Sequence, residues 1–515
     1  KQMKSIEEIK EEQRNIDWVM IGIVLAFVVI VCACLFISPD WSRNIISGVN
    51  KFVSVNFGFV YIWVVAISIL LCVILGCSKY RNIKLGEGKK EYSEFSWASM
   101  MFCASMAAGF IYWGSIEWVY HYMAPPFAVE PLSAKAAEYA ATLPIFHWGI
   151  SAWSVYLIPA VAFAFVHFNL KQERFDVGNV CREVLGDRVD GVLGKVLNIF
   201  FIFGLLGGVG TALGIGSPLV SACLNKLFGI EDTPLLRFGV MVLVTCIFTI
   251  SAYKGIKKGI KILSDINIYM MLAAVVVLFV LGNTTFIIKM QTTALGKMIQ
   301  EFIHLSTYMD PVNNTGHPET WIVFYWAWWV SYSIFMGLFI AKISKGRTIK
   351  QVIFGGLGYG FLGSFTFFSI FTNFFMDQQL SGAYDVVKGV TENGGPATVV
   401  DVFSKLPIGT VFVVAILITS IISMATNFDS AAYTLAMVSS KKIQLGERPS
   451  KSLTIFWALC MAAIPMTLMI FGGSLAELQT LSIIMALPTC IVYAIIVLSC
   501  FKMLEKYYIE MHKIE

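Results

Sequence analysis

The sequence predicts an all-α integral membrane protein. Of its 515 residues, 57% are hydrophobic and 14% are charged, and the mean hydropathy is +0.73, a composition that excludes an ordinary soluble globule. Apolar runs recur along the whole chain, and about twelve of them are long enough to cross a hydrocarbon core of about 30 Å. Basic residues collect in every second loop, which is typical of helices that cross a membrane in alternating directions.

The predicted transmembrane helices cover most of the chain. In order they are residues 18–37, 57–77, 97–122, 144–168, 193–227, 235–253, 260–283, 320–344, 350–376, 407–438, 452–472 and 476–502. The stretch 287–308 is amphipathic and is interrupted by Lys289 and Lys297, so we predict that it lies in the membrane interface instead of spanning the bilayer. The segment before the first span is charged and Glu-rich, and the tail after Leu504 is too small for a folded domain.

The distribution of lysine and arginine orients the helices. Basic clusters occupy the N-terminus and the loops at residues 79–90, 171–188, 254–258, 342–350 and 441–451. By the positive-inside rule, both termini are therefore cytoplasmic. The net charge of +5 follows from this topology and does not indicate a nucleic-acid-binding surface. The eleven cysteines show no metal or disulfide spacing, so we expect no bound metal.

The third span combines small residues with an intramembrane carboxylate. The run from Ala104 to Gly109 permits close helix packing, and it also allows a helix to unwind and expose its carbonyls to a ligand. Glu117 follows, and a carboxylate at that depth requires a partner or a water-filled cavity. Two interpretations of Glu117 stay open: a direct ligand of the substrate, or a structural hydrogen-bonded group near the end of the helix.

The fourth and fifth spans supply further aromatic and small residues. Trp148, Trp153 and Tyr156 lie in the fourth span, and Trp148 and Tyr156 are eight residues apart, so they share one helical face. His147 is predicted to be structural, because no carboxylate or second histidine follows it at helical spacing. The glycine-rich run 203–220 has no preceding strand and no Lys-Ser/Thr tail, so it predicts close packing and not a phosphate loop.

Polar residues interrupt the seventh and tenth spans. Asn267 lies within the seventh span, where a helix–helix hydrogen bond is the simplest explanation. The tenth span contains Thr419, Ser420, Ser423, Thr426, Asn427, Asp429 and Ser430. So many side-chain oxygens in one span predict either an ion site or a polar contact between helices.

The eighth span carries the strongest functional signal. Its large side chains recur at spacings of three and four, so they lie on one face of the helix; they are Trp321, Tyr325, Trp328, Trp329, Tyr332 and Met336. An indole ring attracts a cation through its face without donating a hydrogen bond, which suits a quaternary ammonium group. The alternative is an aromatic belt at the membrane interface, but a belt occupies one depth, whereas this stripe climbs about 12 Å from Trp328 to Met336. Trp321 alone fits a belt.

Three motifs resemble the betaine/carnitine/choline transporter family. They are TWIVFYWAWWVSYSIFMGLFIAKISKGRT at 320–348, YWGSIE at 112–117 and FHWG at 146–149. The resemblance implies the LeuT-type fold, with two inverted five-helix repeats. On this chain it implies a cytoplasmic segment 1–17, two leading helices in 18–92, a first repeat 93–285, an interfacial helix and loop 286–319, a second repeat 320–503 and a tail 504–515.

The resemblance also implies a substrate site. It places Tyr120, Trp328, Trp329 and Tyr332 in a central aromatic box, with Met336 one turn beyond. It also implies Trp321 as an outer, transient site, and Trp148, Trp153 and Tyr156 as matches to box residues of the sodium-coupled betaine members. Glu117 joins the predicted substrate site as an intramembrane carboxylate, independently of the resemblance. Thr426 and Asn427 resemble the hydroxyl pair of the family's sodium site, and Asn267 stands beside them as part of a candidate cation site.

The subtype features are mixed. Sodium-coupled members carry a glycine-rich GMGIG run in the third span, and the matching residues here are Ser105, Met106, Ala107, Ala108 and Gly109. Met336 matches a methionine of the carnitine/γ-butyrobetaine exchanger, which similarly lacks those glycines. That exchanger, however, carries an arginine where this chain has Asn267. We therefore predict an exchanger of trimethylammonium compounds such as carnitine, γ-butyrobetaine or glycine betaine. A sodium- or proton-coupled betaine/choline symporter for osmoprotection is the alternative.

Other functional classes fit less well. A membrane enzyme needs clustered His, Asp, Glu or Cys, and none of the six histidines is paired at i, i+4, so we predict no enzymatic activity, no cofactor and no metal. A channel does not require an aromatic cage that binds its substrate tightly, so the aromatic stripe argues against this class. The expected setting is the inner membrane of a bacterium. The expected partners are the lipid bilayer, small quaternary ammonium substrates and, by resemblance, two further copies in a homotrimer, with no nucleic acid.

Overall fold

The computed structural model describes residues 16–104, 108–172, 176–254, 257–441, 449–471 and 475–512, and these residues are predominantly helical. Strand-like pairing within them is restricted to two isolated β-bridges, Ile16 with Ser440 and Lys84 with Thr348. The predicted all-α fold class is therefore confirmed. The predicted small residues Ser105, Met106 and Ala107 lie outside the described residues.

Most helices of the first half match the predicted spans, but the second helix begins at Pro39 and not at the predicted residue 57. The helices are α1 (Trp18–Ile37), α2 (Pro39–Cys77), α3 (Glu94–Ala104), α4 (Ala108–Met123), α5 (Ala134–His147), α6 (Ile150–Ala164), α7 (Val177–Leu185), α8 (Val192–Phe228), α9 (Pro234–Lys254) and α10 (Lys257–Leu281). A π-helical turn, Phe165–Asn169, extends α6, and a 3₁₀ turn, Gly186–Asp190, follows α7. The predicted fourth span is two helices, because the chain breaks at Trp148 and Gly149.

The second half begins with the interfacial helix. Its helices are α11 (Thr284–Thr307), α12 (Phe324–Ile343), α13 (Ile349–Leu380), α14 (Val386–Asn393), α15 (Gly395–Ser404), α16 (Gly409–Val438), α17 (Lys451–Ile470) and α18 (Leu475–His512). A π-helical turn, Pro318–Val323, leads into α12. The predicted loop before the tenth span contains the short helices α14 and α15, and α18 continues to His512 through most of the predicted tail.

Ten helices of the described chain are long and apolar enough to cross a membrane, with continuous helical segments counted together. The third predicted span is represented by α3 and α4, which flank residues outside the described set, and α9 contains a shorter apolar stretch, Pro234–Ile250. The protein is thus a multi-pass helical membrane protein, and the total of about twelve spans stays a prediction.

Five helices form the centre of the molecule. α12 packs against α6, α8 and α18, and α8 packs against both α16 and α18. Nearly every residue of α6 and α12 is buried, whereas α1 and α2 expose large apolar side chains such as Val29, Ile37, Phe52 and Trp63. An exposed apolar face is what a helix at the lipid boundary requires. The predicted aromatic stripe therefore lies on one of the most enclosed helices.

Glycines allow the central helices to approach one another closely. A Cβ at Gly208 on α8 would lie 2.7 Å from the Tyr332 ring, and a Cβ at Gly360 on α13 would lie 2.2 Å from the Trp153 ring. Only glycine fits at these contacts without displacing a ring. The prediction of close packing for the glycine-rich run 203–220 is confirmed at Gly208.

Candidate functional site

A cavity of about 520 Å³ lies between α4, α6, α10, α12 and α16. This volume falls in the range of small-molecule sites. Ten of the predicted site residues line it: Trp148, Trp153, Tyr156, Asn267, Trp328, Trp329, Tyr332, Met336, Thr426 and Asn427. Residues that are almost 300 positions apart in the chain therefore meet around one space.

The indole rings form the closed end of this cavity. The Trp148 ring lies 4.7 Å from the Trp329 ring and 5.7 Å from the Trp328 ring, centroid to centroid, with both contacts edge-on. Trp328 and Trp329 are stacked at 5.0 Å with an interplanar angle of 13°. On the next turns of α6, the Trp153 and Tyr156 rings meet at 5.9 Å. The result is a box of ring faces and edges.

The indole N–H groups of this box are bonded to the protein. Trp329 Nε1 donates to the carbonyl oxygen of His147 at 2.9 Å, and Trp328 Nε1 donates to that of Gly208 at 3.2 Å. Trp148 Nε1 donates to the Glu117 carboxylate at 3.0 Å. These bonds fix the orientation of each ring. Because the donors are occupied, what the indoles offer to a ligand is π surface, which favours a cation without N–H groups.

A second aromatic layer covers the box on the side away from Lys342. Trp321 packs against Trp113 at 5.9 Å, against Tyr120 at 5.5 Å and against Tyr325 at 6.3 Å. Tyr120 does not line the cavity, so the structure separates it from the other predicted box residues. Trp321 is 9% exposed and enclosed by rings, which is not the position of a membrane-interface belt.

Glu117 lies behind the box and is completely buried. Its carboxylate accepts from Tyr325 Oη at 2.6 Å and from Trp148 Nε1 at 3.0 Å, and it also contacts His147 Nδ1 at 2.7 Å and His121 Nε2 at 3.3 Å. Glu117 does not line the cavity. Of the two interpretations left open by the sequence, this geometry favours the structural hydrogen-bonded group.

The environment of His147 differs from the prediction. The sequence offered it no carboxylate at helical spacing, but a carboxylate reaches it from another helix, because α4 and α5 pack side by side. Glu117 and His121 are four residues apart on α4, and this i, i+4 spacing is a sequence signal of the cluster. Pairing of histidines with one another does not reveal it.

The same cluster contains the only set of three potential metal-binding side chains found among the described residues. The relevant atoms of Glu117, His121 and His147 lie within 4.8 Å of one another. Both carboxylate oxygens already accept hydrogen bonds, and the 2.7 Å contact to His147 is a hydrogen-bond distance. We therefore describe the cluster as a hydrogen-bond network.

The candidate cation residues are arranged along one wall of the cavity. Asn267 Nδ2 donates to Ser423 Oγ at 2.9 Å, and Asn427 Nδ2 donates to Tyr332 Oη at 3.2 Å. Thr426 Oγ1 donates to the backbone carbonyl of Ile422 at 2.9 Å. The Oδ1 atom of Asn267 is buried without a hydrogen-bond partner. An unpaired acceptor on an oxygen-rich wall is the chemistry that a sodium ion uses.

Sequence comparison decides the class of this protein. A model of the family described as "BCCT, betaine/carnitine/choline family transporter" matches residues 19–509. The chain belongs to this family. It is accordingly a membrane transporter and not an enzyme.

Relatives of this BCCT transporter match over most of their length. The glycine betaine transporter OpuD of Bacillus subtilis (strain 168) is 34% identical over 508 residues, which cover 97% of this chain and 96% of the relative. The uncharacterized transporter YeaV of Escherichia coli (strain K12) is 31% identical over 86% of this chain and 93% of its own. A carnitine transporter of Acinetobacter baumannii is 28% identical over 83% of this chain and 78% of the relative.

In this BCCT transporter the cavity is also lined by residues outside the predicted substrate and cation sites. Phe110 lines the cavity with its ring 4.7 Å from that of Trp148, and a Cβ on the adjacent Gly109 would lie 3.5 Å from the Trp148 ring. At the opposite end, the cavity is lined by Lys342 and Asp429. Gly109 could have been found, because it ends the run of small residues in the third span, whereas Phe110 carries no signal that separates it from other apolar residues.

Proposed function

We propose that this transporter carries trimethylammonium compounds, such as glycine betaine, carnitine or γ-butyrobetaine, and that it exchanges one for another across a bacterial inner membrane. The observation that carries the proposal is the box formed by Trp148, Trp328 and Trp329, whose N–H groups are all bonded to the protein. The printed functions of the glycine betaine and carnitine relatives agree with it.

The chemistry of the box suits a quaternary ammonium head. Such a head carries a full charge but has no N–H to donate, so it gains little from carbonyl acceptors and more from ring faces. Each ring within reach contributes about 0.5–2 kcal/mol, so several together can hold the substrate while the chain around it rearranges. Tyr332, Tyr156 and Trp153 extend the aromatic surface towards the open end of the cavity.

The helix contacts support the inverted-repeat architecture proposed from the resemblance. Exchanging each helix of the first repeat with its counterpart in the second (α4 with α12, α6 with α13, α8 with α16, α9 with α17, and α10 with α18) maps several observed helix contacts onto other observed contacts, although not the contact between α12 and α18. The pair α6–α12 becomes α13–α4, and α8–α18 becomes α16–α10, all of which pack together. The proposed boundaries of the repeats remain 93–285 and 320–503.

In this architecture, we assign the structure to an inward-facing state. The cavity extends to Lys342, which belongs to a basic cluster on the proposed cytoplasmic side, and the layer of Trp113, Tyr120 and Trp321 covers the other side. Trp321 then serves as the outer, transient site, and Tyr120 joins the box when the layer rearranges. Both termini are placed in the cytoplasm, and the assembly is proposed to be a homotrimer.

Symport is the second candidate, and one observation favours it. The unpaired Oδ1 of Asn267 and the hydroxyls of Ser423 and Thr426 form a wall that could coordinate sodium. Met336, which lines the same cavity, is the feature that supports exchange.

Reconstitution in liposomes separates these candidates. Vesicles loaded with unlabelled glycine betaine, carnitine or γ-butyrobetaine are expected to accumulate labelled substrate by counterflow, whereas empty vesicles are not. Strong concentrative uptake into empty vesicles under a sodium gradient would instead establish the symporter. Absence of counterflow with every compound, choline included, would refute the substrate class.

A single substitution tests the box itself. Trp329→Leu retains apolar bulk but removes the ring, so the Kd for trimethylammonium ligands should rise by about 2- to 30-fold, the equivalent of about 0.5–2 kcal/mol. Trp63→Leu is the matched control, because Trp63 lies on α2, is 58% exposed and is remote from the cavity. Equal affinity of Trp329→Leu and Trp63→Leu would mean that the box is misplaced.

A further inference from the structure

Four titratable side chains form a continuous buried line behind the aromatic box. His317 Nε2 lies 3.3 Å from His121 Nδ1, and His121 Nε2 lies 3.3 Å from Glu117 Oε1. The same Oε1 lies 2.7 Å from His147 Nδ1. Glu117, His121 and His147 are fully buried, and His317 is 7% exposed. We call these four residues the buried array.

The contacts determine where the protons of the array lie. An ionised carboxylate accepts hydrogen bonds but donates none. Trp148 and Tyr325 already donate to Glu117, and the two histidines can also donate to it if His121 Nε2 and His147 Nδ1 carry protons. His121 Nδ1 is then a bare acceptor for the proton on His317 Nε2. This assignment leaves the far nitrogens, His147 Nε2 and His317 Nδ1, without protons.

Those two nitrogens are the polar atoms of the array that lack partners. Both are buried, and neither has a hydrogen-bond partner. In the assigned state the three histidines are neutral, so the array carries one negative charge. A buried carboxylate without a cationic partner is costly, and a bare imidazole nitrogen is a ready acceptor for the missing proton.

The surroundings do not supply a compensating positive charge. The other titratable groups that face the array are Tyr325 on α12, Tyr112 on α4 and Asp310 in the loop before His317, which are neutral or negative. Among the described residues, no lysine or arginine forms an ion pair with Glu117. A proton is therefore the cation that is small enough to reach and neutralise this position.

We infer that the buried array is a proton-binding site linked to the substrate box, so that a proton and an ammonium substrate compete. The inference rests on the proposed function, since it requires an ammonium head in the box. The added proton binds to His317 Nδ1, a nitrogen without a hydrogen-bond partner on the only member of the array that is not fully buried. The Nε2 proton of His317 then passes to His121 Nδ1, and the Nε2 proton of His121 passes to Glu117. One proton has been gained, and Glu117 is neutral.

Two hydrogen bonds connect the array to the box. Glu117 accepts from Trp148 Nε1, and the backbone carbonyl of His147 accepts from Trp329 Nε1. An ammonium head on these rings is attracted by the negative array behind them, and a proton on the array removes that attraction. Because linkage is reciprocal, a bound substrate must also weaken proton binding, so binding of substrate releases protons.

The experiment measures ligand affinity and proton release on the purified protein. Glycine betaine is the probe, since its carboxylate stays ionised over the window of about pH 8 to pH 5.5 in which histidine titrates. Tryptophan fluorescence is expected to give a Kd that rises roughly 5- to 100-fold across this window. An indicator dye in weak buffer should report release of up to one proton per ligand bound at the acidic end.

Two variants assign the effect to the array. His317→Gln keeps a donor for His121 but removes the basic nitrogen, so the Kd at about pH 8 should match the parent and the rise at low pH should largely disappear. His304→Gln is the matched control, because His304 lies on α11, its side chain is 59% exposed and it stands outside the array; its pH dependence should equal that of the parent.

The outcomes separate the two proposals. If glycine betaine, carnitine and choline fail to bind at any pH, the proposed function fails. If they bind with a constant Kd and no proton is released, the array is not linked and this inference is wrong, while the proposed function stands. An unchanged pH dependence in His317→Gln would overturn the assignment of His317 as the residue that binds the added proton. Should His317→Gln fail to fold, proton release by the parent protein still decides the inference.

Discussion

The contact between Gly360 and Trp153 makes a quantitative prediction. An alanine Cβ at Gly360 on α13 would lie 2.2 Å from two atoms of the Trp153 ring and 2.7 Å from a third. Two residues earlier on the same helix, Gly358 has nothing within 4 Å of the corresponding position. Gly360→Ala and Gly358→Ala are therefore a matched pair that differ mainly in what the added methyl group meets.

The magnitude follows from two opposing terms. Alanine stabilises a helix interior by about 0.5–1 kcal/mol relative to glycine, and both variants gain this. Only Gly360→Ala forces a ring to move, and overpacking of a well-packed interior costs about 1–3 kcal/mol. The helix term cancels in the comparison, so Gly360→Ala should be about 1–3 kcal/mol less stable than Gly358→Ala.

The displacement should also affect substrate binding. Trp153 lines the cavity and packs against Tyr156 at 5.9 Å, so a moved indole leaves its place in the aromatic wall. Loss of one such contact corresponds to about 0.5–1 kcal/mol, which is a 2- to 5-fold rise in the Kd for glycine betaine.

Thermal unfolding in detergent and ligand titration test both effects. We expect Gly358→Ala to be at least as stable as the parent and Gly360→Ala to be less stable with weaker binding. Adding Trp153→Phe to Gly360→Ala should restore part of the stability, because a smaller ring relieves the overlap. If the two alanine variants have the same unfolding temperature and the same Kd, the close contact does not exist.

Two further predictions concern the cation wall and the ion pair between Arg347 and Glu94. At constant pH, sodium should raise the substrate affinity of the parent protein. Asn267→Arg should abolish this sodium dependence and retain counterflow, because a guanidinium supplies the positive charge permanently. Equal substrate affinity of the parent with and without sodium would rule out the cation site. Arg347 Nη1 donates to Glu94 at 2.7 Å, and this hydrogen bond holds the pKa of Glu94 below its usual 4.5. A lowered folded pKa stabilises the protein above the unfolded pKa, so Glu94→Gln should reduce the unfolding free energy at neutral pH by less than about 1 kcal/mol, given a half-exposed carboxylate. This difference should shrink as the pH falls through the folded pKa of Glu94 and vanish below it. A difference in unfolding temperature that persists at acidic pH would contradict it.

The sequence by itself determined the helices and much of the box. The length of the apolar runs identified the predicted spans. These spans largely coincide with helices, because a backbone in lipid must satisfy its hydrogen bonds within each segment. The spacing of Trp328, Trp329, Tyr332 and Met336 placed them on one helical face, and the structure brings that face onto the cavity. Such features are local, since they depend only on the period of the helix.

Only the tertiary structure decided which helices supply the partners. The separation of Tyr120 from the cavity, the break between α5 and α6, and the meeting of Glu117 with His147 all depend on where helices cross. Glu117 and His147, for example, are 30 positions apart in the chain and form a hydrogen bond where α4 packs against α5. The period of a helix states which side chains share a face, but not which neighbour that face meets, because packing between helices is set by the complementary shapes of both surfaces.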